Sequence, residues 1–200
     1  MERVSFYLSS VVVPGGRDQL RIMSAAQNLV LIGFMGCGKT TVGQRAAEKL
    51  TWEFADTDSL IIEQAGRAIP EIFAAEGESG FRARESAVLK SLADGKSRVI
   101  ATGGGIVTEA RNNEVLRQLG FVVWLNASEE AIFDRVSRNK NRPLLQTADP
   151  RQTMRDLLKL RRPIYAKLAH LVVETAGLEA DEIAYGICES TRHFFRDQKR

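Results

Sequence analysis

Residues 28–40 of the chain read NLVLIGFMGCGKT, and this stretch decides the fold. An apolar run at 28–32 is followed by a loop with glycines at positions 33, 36 and 38, and then by Lys39 and Thr40. Glycine lets backbone N–H groups turn inward without a Cβ in the way, and the first turn of a helix adds further unpaired N–H groups. The sequence of strand, glycine-rich loop and helix therefore predicts a phosphate-binding P-loop.

The chemistry of nucleotide phosphates explains the residues of this loop. Lys39 is expected to reach the β- and γ-phosphates of ATP, and the Thr40 hydroxyl is expected to bind Mg²⁺. Cys37 is interpreted as a small filler residue of which only the backbone matters. The motif does not name a reaction, because ATPases, GTPases and small-molecule kinases share it. The predicted ATP-binding residues in the loop are Gly36, Cys37, Gly38, Lys39, Thr40 and Thr41.

The composition suits one globular domain in a reducing compartment. The chain has 200 residues, is 44% hydrophobic and carries a formal net charge of +3. Its arginines are scattered, which does not indicate nucleic-acid binding, whereas a basic excess suits anionic small substrates. The two cysteines form no CxxC pair, so neither a disulfide framework nor a zinc site is indicated. Since no apolar stretch reaches the roughly 18 residues that span a bilayer, we expect a cytoplasmic protein without membrane or nucleic-acid partners.

The N-terminal segment fits the domain poorly. The apolar run VSFYLSSVVV at 4–13 lacks the flanks of a secretory signal peptide, and PGGRDQLR interrupts it. Met23 lies just ahead of the first predicted strand and would be a natural start. We expect residues 1–27 to be an N-terminal extension, poorly ordered or non-native, and residues 28–200 to form a single domain.

Apolar β-branched runs alternate with amphipathic stretches along the rest of the chain. Continuous apolar runs are typical of strands covered on both faces, and strand–helix alternation predicts an α/β fold of three layers around a parallel sheet. Strands are predicted at 28–32, 53–55, 98–101, 121–125 and 170–173. Helices are predicted at 39–50, 58–65, 109–119, 128–138, 150–168 and 179–195, with a pair of helices across 70–93.

Three motifs could form the site of a phosphate acceptor, and each has an ordinary structural alternative. DTD at 56–58 follows a predicted strand and could bind a metal-bound water and a substrate hydroxyl. Asp58 could also be a helix N-cap, instead of this role or together with it. Arg82 in FRARE could bind an anion, although arginines on helices are usually solvated. TGGG at 102–105 could let the backbone approach a ligand closely, or it could form a plain turn.

Two segments of the C-terminal half also stand out. RRPIY at 161–165 places arginines where they could bind a carboxylate through two hydrogen bonds, while Pro163 predicts a kink or a helix boundary. Residues 138–150 are polar, contain two prolines and lack strong periodicity. A loop of this length in a compact domain is usually functional or disordered.

Taken together, these motifs resemble those of the shikimate kinase family over roughly residues 28–190. In the order used by that family they are GFMGCGKTTVG, DTD, IPEIFAAEGESGFRARE, TGGG, RPLL and RRPIYAKLA. The resemblance implies a five-stranded parallel sheet flanked by helices, similar to the nucleoside monophosphate kinases. It also implies a substrate-binding region at about 57–93 and a lid at about 139–149.

The resemblance also implies roles for single residues. Asp58 would bind shikimate hydroxyls and act as the base, and Asp56 would assist the Mg²⁺ site through water. Lys39 and Arg142 would be catalytic together with Asp58, because they supply positive charge around the transferred group. The implied substrate-binding residues are Asp58, Arg82, Gly103, Gly104, Gly105 and Arg161, and the implied ATP contacts beyond the loop are Arg135 and Arg142.

The implied reaction moves the γ-phosphoryl group of ATP to shikimate. It gives shikimate 3-phosphate and ADP in the chorismate pathway to aromatic amino acids, and we expect a monomeric enzyme. Two other functions stay open from the residues alone. One is a kinase for another small molecule, such as gluconate or a nucleotide, and the other is a regulatory nucleotide-binding module without turnover.

Overall fold

One parallel sheet organises the chain. The structure, a computed structural model, describes residues 27–137 and 143–198. The strands are β1 (Asn28–Ile32), β2 (Glu53–Asp56), β3 (Arg98–Ala101), β4 (Gly120–Asn126) and β5 (Leu171–Glu174). They lie in the order β2-β3-β1-β4-β5, and every neighbouring pair is parallel. This arrangement confirms the predicted α/β fold with a five-stranded parallel sheet.

Helices connect the strands. They are α1 (Lys39–Leu50), α2 (Thr57–Ala65), α3 (Ile69–Ser91), α4 (Ala110–Leu119), α5 (Glu129–Ser137), α6 (Pro150–Leu168) and α7 (Ala180–Asp197), with short 3₁₀ turns at Ile106–Thr108 and Pro143–Leu145. Helix α3 contains a break at Gly77, where φ is 67° and ψ is −177°. The break divides α3 into the two helices that the sequence predicts across 70–93.

The core lies on both faces of the central strands. All residues of β1 are buried, as are the first six of β4, which explains why these strands are continuous apolar runs. In β1, Leu31 lies opposite Ala101 of β3 and Val123 of β4. The carboxyl ends of β1, β2 and β3 are therefore neighbours at one edge of the sheet. Open α/β sheets bind their ligands at this edge.

Helix α6 confirms the helix predicted at 150–168 and excludes one of the two alternatives at Pro163. This residue lies inside Pro150–Leu168, so a helix boundary there is wrong. Proline removes one backbone hydrogen bond, but the apolar face of α6 is packed into the core through Met154, Leu158 and Leu168. That burial holds the helix together across the proline.

Two predicted segments lie wholly or partly outside the described residues. The N-terminal extension at 1–27 is described only at residue 27, and Arg142 with the neighbouring part of the predicted lid at 139–142 is not described. Residues 143–149 of the predicted lid are described and include the turn Pro143–Leu145. Over the described ranges, no helix is both long and apolar enough to cross a membrane.

Candidate active site

The P-loop connects β1 to α1. Gly36 and Gly38 have φ values of 78° and 97°, a backbone region that glycine adopts without steric cost. Gly38 is the N-cap of α1, and no side chain caps the first turn of this helix. Its leading N–H groups therefore point toward the loop, as an anion site at a helix N-terminus requires.

Lys39 is folded back onto the loop. Its Nζ donates hydrogen bonds to the carbonyls of Gly33 at 2.9 Å and Phe34 at 2.8 Å, and it lies 3.6 Å from the Sγ of Cys37. The side chain is only 8% exposed. To contact a phosphate the amine has to leave these carbonyls, which a phosphate oxygen can replace as an acceptor. Cys37 is itself 1% exposed and fills space under the loop, in agreement with its interpretation as a filler.

The Thr40 hydroxyl and the Asp56 carboxylate form a pair at the end of β2. The hydroxyl donates to Oδ2 of Asp56 at 2.8 Å. The other oxygen of Asp56 accepts from the backbone N–H groups of Asp58 at 3.0 Å and Ser59 at 3.3 Å, so Asp56 is the N-cap of α2. The alternative in which Asp58 caps this helix is wrong. Asp58 is the second residue of the helix and lies in its first turn, where its side chain lines a pocket.

This pocket lies beside the P-loop and is lined by the residues predicted to bind the substrate. It has about 520 Å³ of empty space, part of which is open solvent. The structure brings Asp58, Arg82, Arg161 and the glycine loop, defined as Gly103–Gly105, together around it. Its other lining residues, mostly apolar, are Met35, Ile69, Phe73, Phe81, Glu85, Pro143 and Leu144. A small ligand with both polar and apolar faces fits such a lining.

Arg82 is buried between two carboxylates. It is 6% exposed, and it forms ion pairs with Glu85 at 2.6 Å and Glu78 at 2.8 Å. Burial alone lowers the pKa of the Arg82 guanidinium, but the two glutamates outweigh burial and raise it. Arg82 is therefore a fixed cation at the pocket wall and not the solvated side chain that single-residue statistics favour.

Glu85 has a place in the pocket that the sequence argument did not assign. Its side chain is 1% exposed, and burial raises the pKa of its carboxyl group while the Arg82 guanidinium opposes the shift. The signal was available, because Glu85 follows Arg82 by three residues on a helix, a spacing at which side chains meet. Glu85 is the last residue of the motif FRARE, which by itself assigns it no role.

Arg161 presents a buried positive charge to the pocket. It is 2% exposed, and its guanidinium lies 5.5 Å from the centroid of the Phe34 ring. Within the described ranges no carboxylate forms an ion pair with Arg161, and its Nε has no hydrogen-bond partner. Burial lowers the pKa of this guanidinium, an effect that the nearby Tyr165 offsets in part. A buried cation without an ion-pair partner has the chemistry to bind an anionic ligand group.

The glycine loop makes two hydrogen bonds that the sequence did not predict. The Gly103 N–H donates to Oγ1 of Thr57 at 2.8 Å, and the Tyr165 hydroxyl donates to the Gly104 carbonyl. Burial raises the pKa of the Tyr165 phenol, so the group stays protonated and remains a donor. Thr57 and Tyr165 are far from the loop in sequence, which leaves no local signal for either contact.

The loop needs glycine because its neighbours leave no room for a side chain. A Cβ at Gly103 would lie 2.5 Å from Oε1 of Glu85 and 2.7 Å from Oδ1 of Asp58. A Cβ at Gly105 would lie 2.2 Å from Nη1 of Arg82. The plain-turn alternative does not explain such close approach to three charged groups.

Substitution of Gly103 by alanine is expected to lower kcat by about tenfold, since overpacking at such a site costs about 1–3 kcal/mol. The added methyl group pushes against the carboxylates of Asp58 and Glu85. Steady-state kinetics measure the effect. Gly186→Ala in α7 is the matched control, because a Cβ there meets nothing within 4 Å and kcat should not change. Equal kinetics in the two variants would contradict the packing argument.

The remaining predicted ATP contact, Arg135, lies at the other side of the P-loop. It is in the last turn of α5, and its Nη1 donates to the Gly36 carbonyl at 3.0 Å. The side chain is exposed beside the loop, where a nucleotide base could stack on it. Thr41 is likewise exposed in the first turn of α1. Arg142 lies outside the described residues, although its neighbours Pro143 and Leu144 line the pocket.

A family model and the similar proteins above 30% identity point to one family. A family model described as shikimate kinase matches residues 35–192. A shikimate kinase of Acinetobacter baumannii (strain AYE) is 49% identical over 162 residues, which cover 81% of this chain and 90% of that protein. One of Symbiobacterium thermophilum is 46% identical over 164 residues, 81% of this chain and 94% of that protein. A solved shikimate kinase from Acinetobacter baumannii in complex with shikimate aligns with a TM-score of 0.81 at 46% identity, covering 85% of this chain and 95% of that one.

Proposed function

The chain belongs to the shikimate kinase family, and from this premise we propose that it transfers the γ-phosphoryl group of ATP to a hydroxyl of shikimate, giving shikimate 3-phosphate and ADP. The observation that carries the proposal is the buried guanidinium of Arg161, which lacks a carboxylate partner among the described residues and faces a pocket beside the P-loop. Shikimate supplies a carboxylate for this cation and hydroxyls for phosphorylation.

Asp58 is the residue that we place at the reacting hydroxyl. Its carboxylate lines the pocket at the carboxyl end of β2, on the side of the P-loop. There it orients the substrate hydroxyl and accepts its proton as the new oxygen–phosphorus bond forms and the bond to ADP breaks. Phosphoryl transfer requires mainly positioning of the reactants and stabilisation of charge, and the Asp58 carboxylate would position the substrate hydroxyl.

Positive charge around the transferred group comes from Lys39 and Arg142. Lys39 lies at the start of α1, where its amine can exchange the carbonyls of Gly33 and Phe34 for phosphate oxygens. The role of Arg142 rests on the family resemblance, since this residue lies outside the described ranges. Closure of the segment around it would exclude water and limit futile hydrolysis of ATP.

The residues at the P-loop fit a magnesium site. The Thr40 hydroxyl and the Asp56 carboxylate already lie 2.8 Å apart, with Asp56 held rigid by its capping role. Mg²⁺ is usually held by a few such oxygens together with water and substrate phosphates, so the described chain needs no cluster of three protein ligands, and it has none. We propose that Thr40 binds the ion directly and Asp56 through water. The bound ion would neutralise charge on the phosphates.

Asp56→Asn is expected to raise the Mg²⁺ concentration for half-maximal activity by about tenfold, because loss of a residue that orients a metal-bound water costs about 10- to 100-fold in metal affinity. Asparagine caps helices about as well as aspartate, so α2 and the melting temperature should be preserved. Titration of activity with Mg²⁺ measures the effect. An unchanged Mg²⁺ titration curve would show that Asp56 does not contribute to the metal site.

The two buried arginines explain why the substrate must carry a carboxylate. Arg82 is already paired with Glu78 and Glu85, whereas Arg161 has no such partner among the described residues. We therefore propose that Arg161 is the main carboxylate ligand and Arg82 the second. A polyol without a carboxylate would leave Arg161 buried without an ion-pair contact, and sites of this kind reject such analogues strongly.

Release of ADP with a panel of acceptors tests the proposed function. The panel contains shikimate, gluconate and a nucleoside monophosphate, each at saturating ATP and Mg²⁺. Shikimate alone is expected to give rapid release. Faster ADP release with gluconate or the nucleotide would show that shikimate is not the substrate. ATP binding without acceptor-dependent ADP release would favour a regulatory module.

We also propose a cytoplasmic monomer that acts on small molecules. Both Cys37 and Cys188 are free and buried, which suits a reducing compartment. The large apolar side chains exposed in the described chain, Ile62, Leu160, Leu178 and Tyr185, belong to different segments and suggest no extended apolar interface. Sedimentation of the purified chain measures its mass in solution, and a dimeric mass would contradict the monomer.

A further inference from the structure

The glycine loop is fixed by one hydrogen bond on each of two sides. On one side Thr57 accepts from the Gly103 N–H at 2.8 Å, and on the other the Tyr165 hydroxyl donates to the Gly104 carbonyl. Both side chains are 0% exposed. Water cannot easily replace either bond in such surroundings, so the loss of a partner leaves a buried backbone group unsatisfied.

Each of these two residues adjoins a group that we place at one end of the substrate. Thr57 directly precedes Asp58 in the first turn of α2. Tyr165 follows Arg161 by one helical turn on α6, so the two side chains share a face of that helix. The hydroxyl end and the carboxylate end of the pocket are thus linked through the glycine loop between them.

The loop is too tightly packed to absorb a shift of either neighbour. A Cβ at Gly104 would lie 2.9 Å from the backbone N of Met35, in the P-loop. Gly103 approaches Asp58 and Gly105 approaches Arg82 with similarly little space. Because the P-loop backbone blocks movement on its side, a displacement of the glycine loop would be transmitted to the charged side chains of the pocket.

We propose that Thr57 and Tyr165 are positioning residues whose hydrogen bonds to the glycine loop fix the separation between Asp58 and Arg161, and thereby the distance between hydroxyl and carboxylate that a substrate must have. The inference rests on the proposed function, because it takes Asp58 and Arg161 as the groups that contact the substrate. It assigns no contact with substrate to Thr57 or Tyr165 themselves.

The two bonds should affect different kinetic constants. Tyr165→Phe removes the hydroxyl beside Arg161 and weakens the hold on the carboxylate, so KM for shikimate should rise by about tenfold, as expected for loss of a buried hydrogen bond. Thr57→Val shifts Asp58 away from the reacting hydroxyl, so kcat should fall by about tenfold for the same reason. KM for ATP should stay within about twofold in both variants, because the two hydrogen bonds tie the glycine loop to α2 and α6 and not to the P-loop. Loss of folded enzyme alone would change neither KM.

Steady-state kinetics of these variants with shikimate and ATP provide the test, with thermal unfolding as a record of stability. Thr57→Ser keeps the acceptor oxygen and should restore kcat. Thr191→Val removes a comparably buried hydroxyl from α7, which contributes no described residue to the pocket, and Tyr185→Phe removes an exposed one. Both controls should leave kcat and the two KM values unchanged.

Three results would overturn the inference. The first is unchanged kcat and shikimate KM in Thr57→Val and Tyr165→Phe while the wild-type chain is active. The second is equal change in the KM values for shikimate and ATP, and the third is failure of Thr57→Ser to recover kcat. A wild-type chain without shikimate-dependent ADP release would overturn the proposed function and this inference together, so the two failures are distinguishable.

Discussion

Asp58→Asn is expected to lower kcat by about a thousandfold, within the range of about 10²- to 10⁴-fold that general base catalysis contributes. Asparagine has nearly the same shape as aspartate but cannot accept the proton of the shikimate hydroxyl. The helix cap of α2 is provided by Asp56, so the variant should fold normally. The KM for ATP should change little, because Asp58 lines the acceptor pocket and not the P-loop.

Single-turnover and steady-state kinetics with shikimate measure this effect. Asp181→Asn is the matched control: Asp181 lies at the start of α7, pairs with Lys49 at the surface and should be replaceable without loss of kcat. Turnover within about tenfold of wild type in Asp58→Asn would mean that the carboxylate is not the base.

Lys39→Ala is expected to lower kcat/KM for ATP by about a hundred- to a thousandfold, the cost of removing one preorganised hydrogen-bond donor at a developing negative charge. Lys39 is the only lysine or arginine in the P-loop and the first helical turn, residues 33–41, all of which the structure describes. In the structure it is bound by two loop carbonyls, so its removal also frees the Gly33 and Phe34 carbonyls. The shikimate affinity of the variant should be nearly unchanged.

Direct binding separates the two substrates in the Lys39 experiment. Calorimetry with shikimate in the absence of nucleotide should give similar affinities for wild type and Lys39→Ala. Lys49→Ala, in the last turn of the same helix, controls for loss of a lysine from α1. If Lys39→Ala kept normal kcat/KM for ATP, the P-loop assignment of this residue would be wrong.

The elements that position the site follow closely from sequence patterns. Helix α1 was predicted at 39–50 and is observed as Lys39–Leu50, because a glycine N-cap and an amphipathic pattern mark its beginning and its course. Strand β1 coincides with its predicted range for a similar reason, since a continuous apolar run ends at a glycine. Local signals of this kind predict the helices and strands, but they do not give the strand order β2-β3-β1-β4-β5.

The details of the pocket depend on contacts between segments that are distant in sequence. Thr57 is hydrogen-bonded to Gly103, 46 residues away in sequence, and Tyr165 to Gly104, 61 residues away. No local sequence pattern predicts either hydrogen bond. The sequence pattern suggests Asp58 as a helix cap, whereas the structure has Asp56 in that role, and both positions suit a cap locally. Only the course of the backbone at the end of β2 distinguishes them.

Arg82 shows how burial can reverse an expectation based on residue type. Arginines on helices are mostly solvated, yet this one is buried because Glu78 and Glu85 neutralise it from the same helix. The i, i+3 and i, i+4 spacings were present in the sequence and would have predicted the pairing. They would not have predicted that the pair faces a pocket.

A crystal structure of the chain with shikimate, ADP and Mg²⁺ tests the central claim most directly, since it shows where the substrate lies between Asp58 and Arg161. The account predicts the shikimate carboxylate within hydrogen-bond distance of the Arg161 guanidinium, and a ring hydroxyl on Asp58 that faces the β-phosphate of ADP. Shikimate bound in the reverse orientation, or outside the pocket formed by Arg82, Arg161 and the glycine loop, would contradict it.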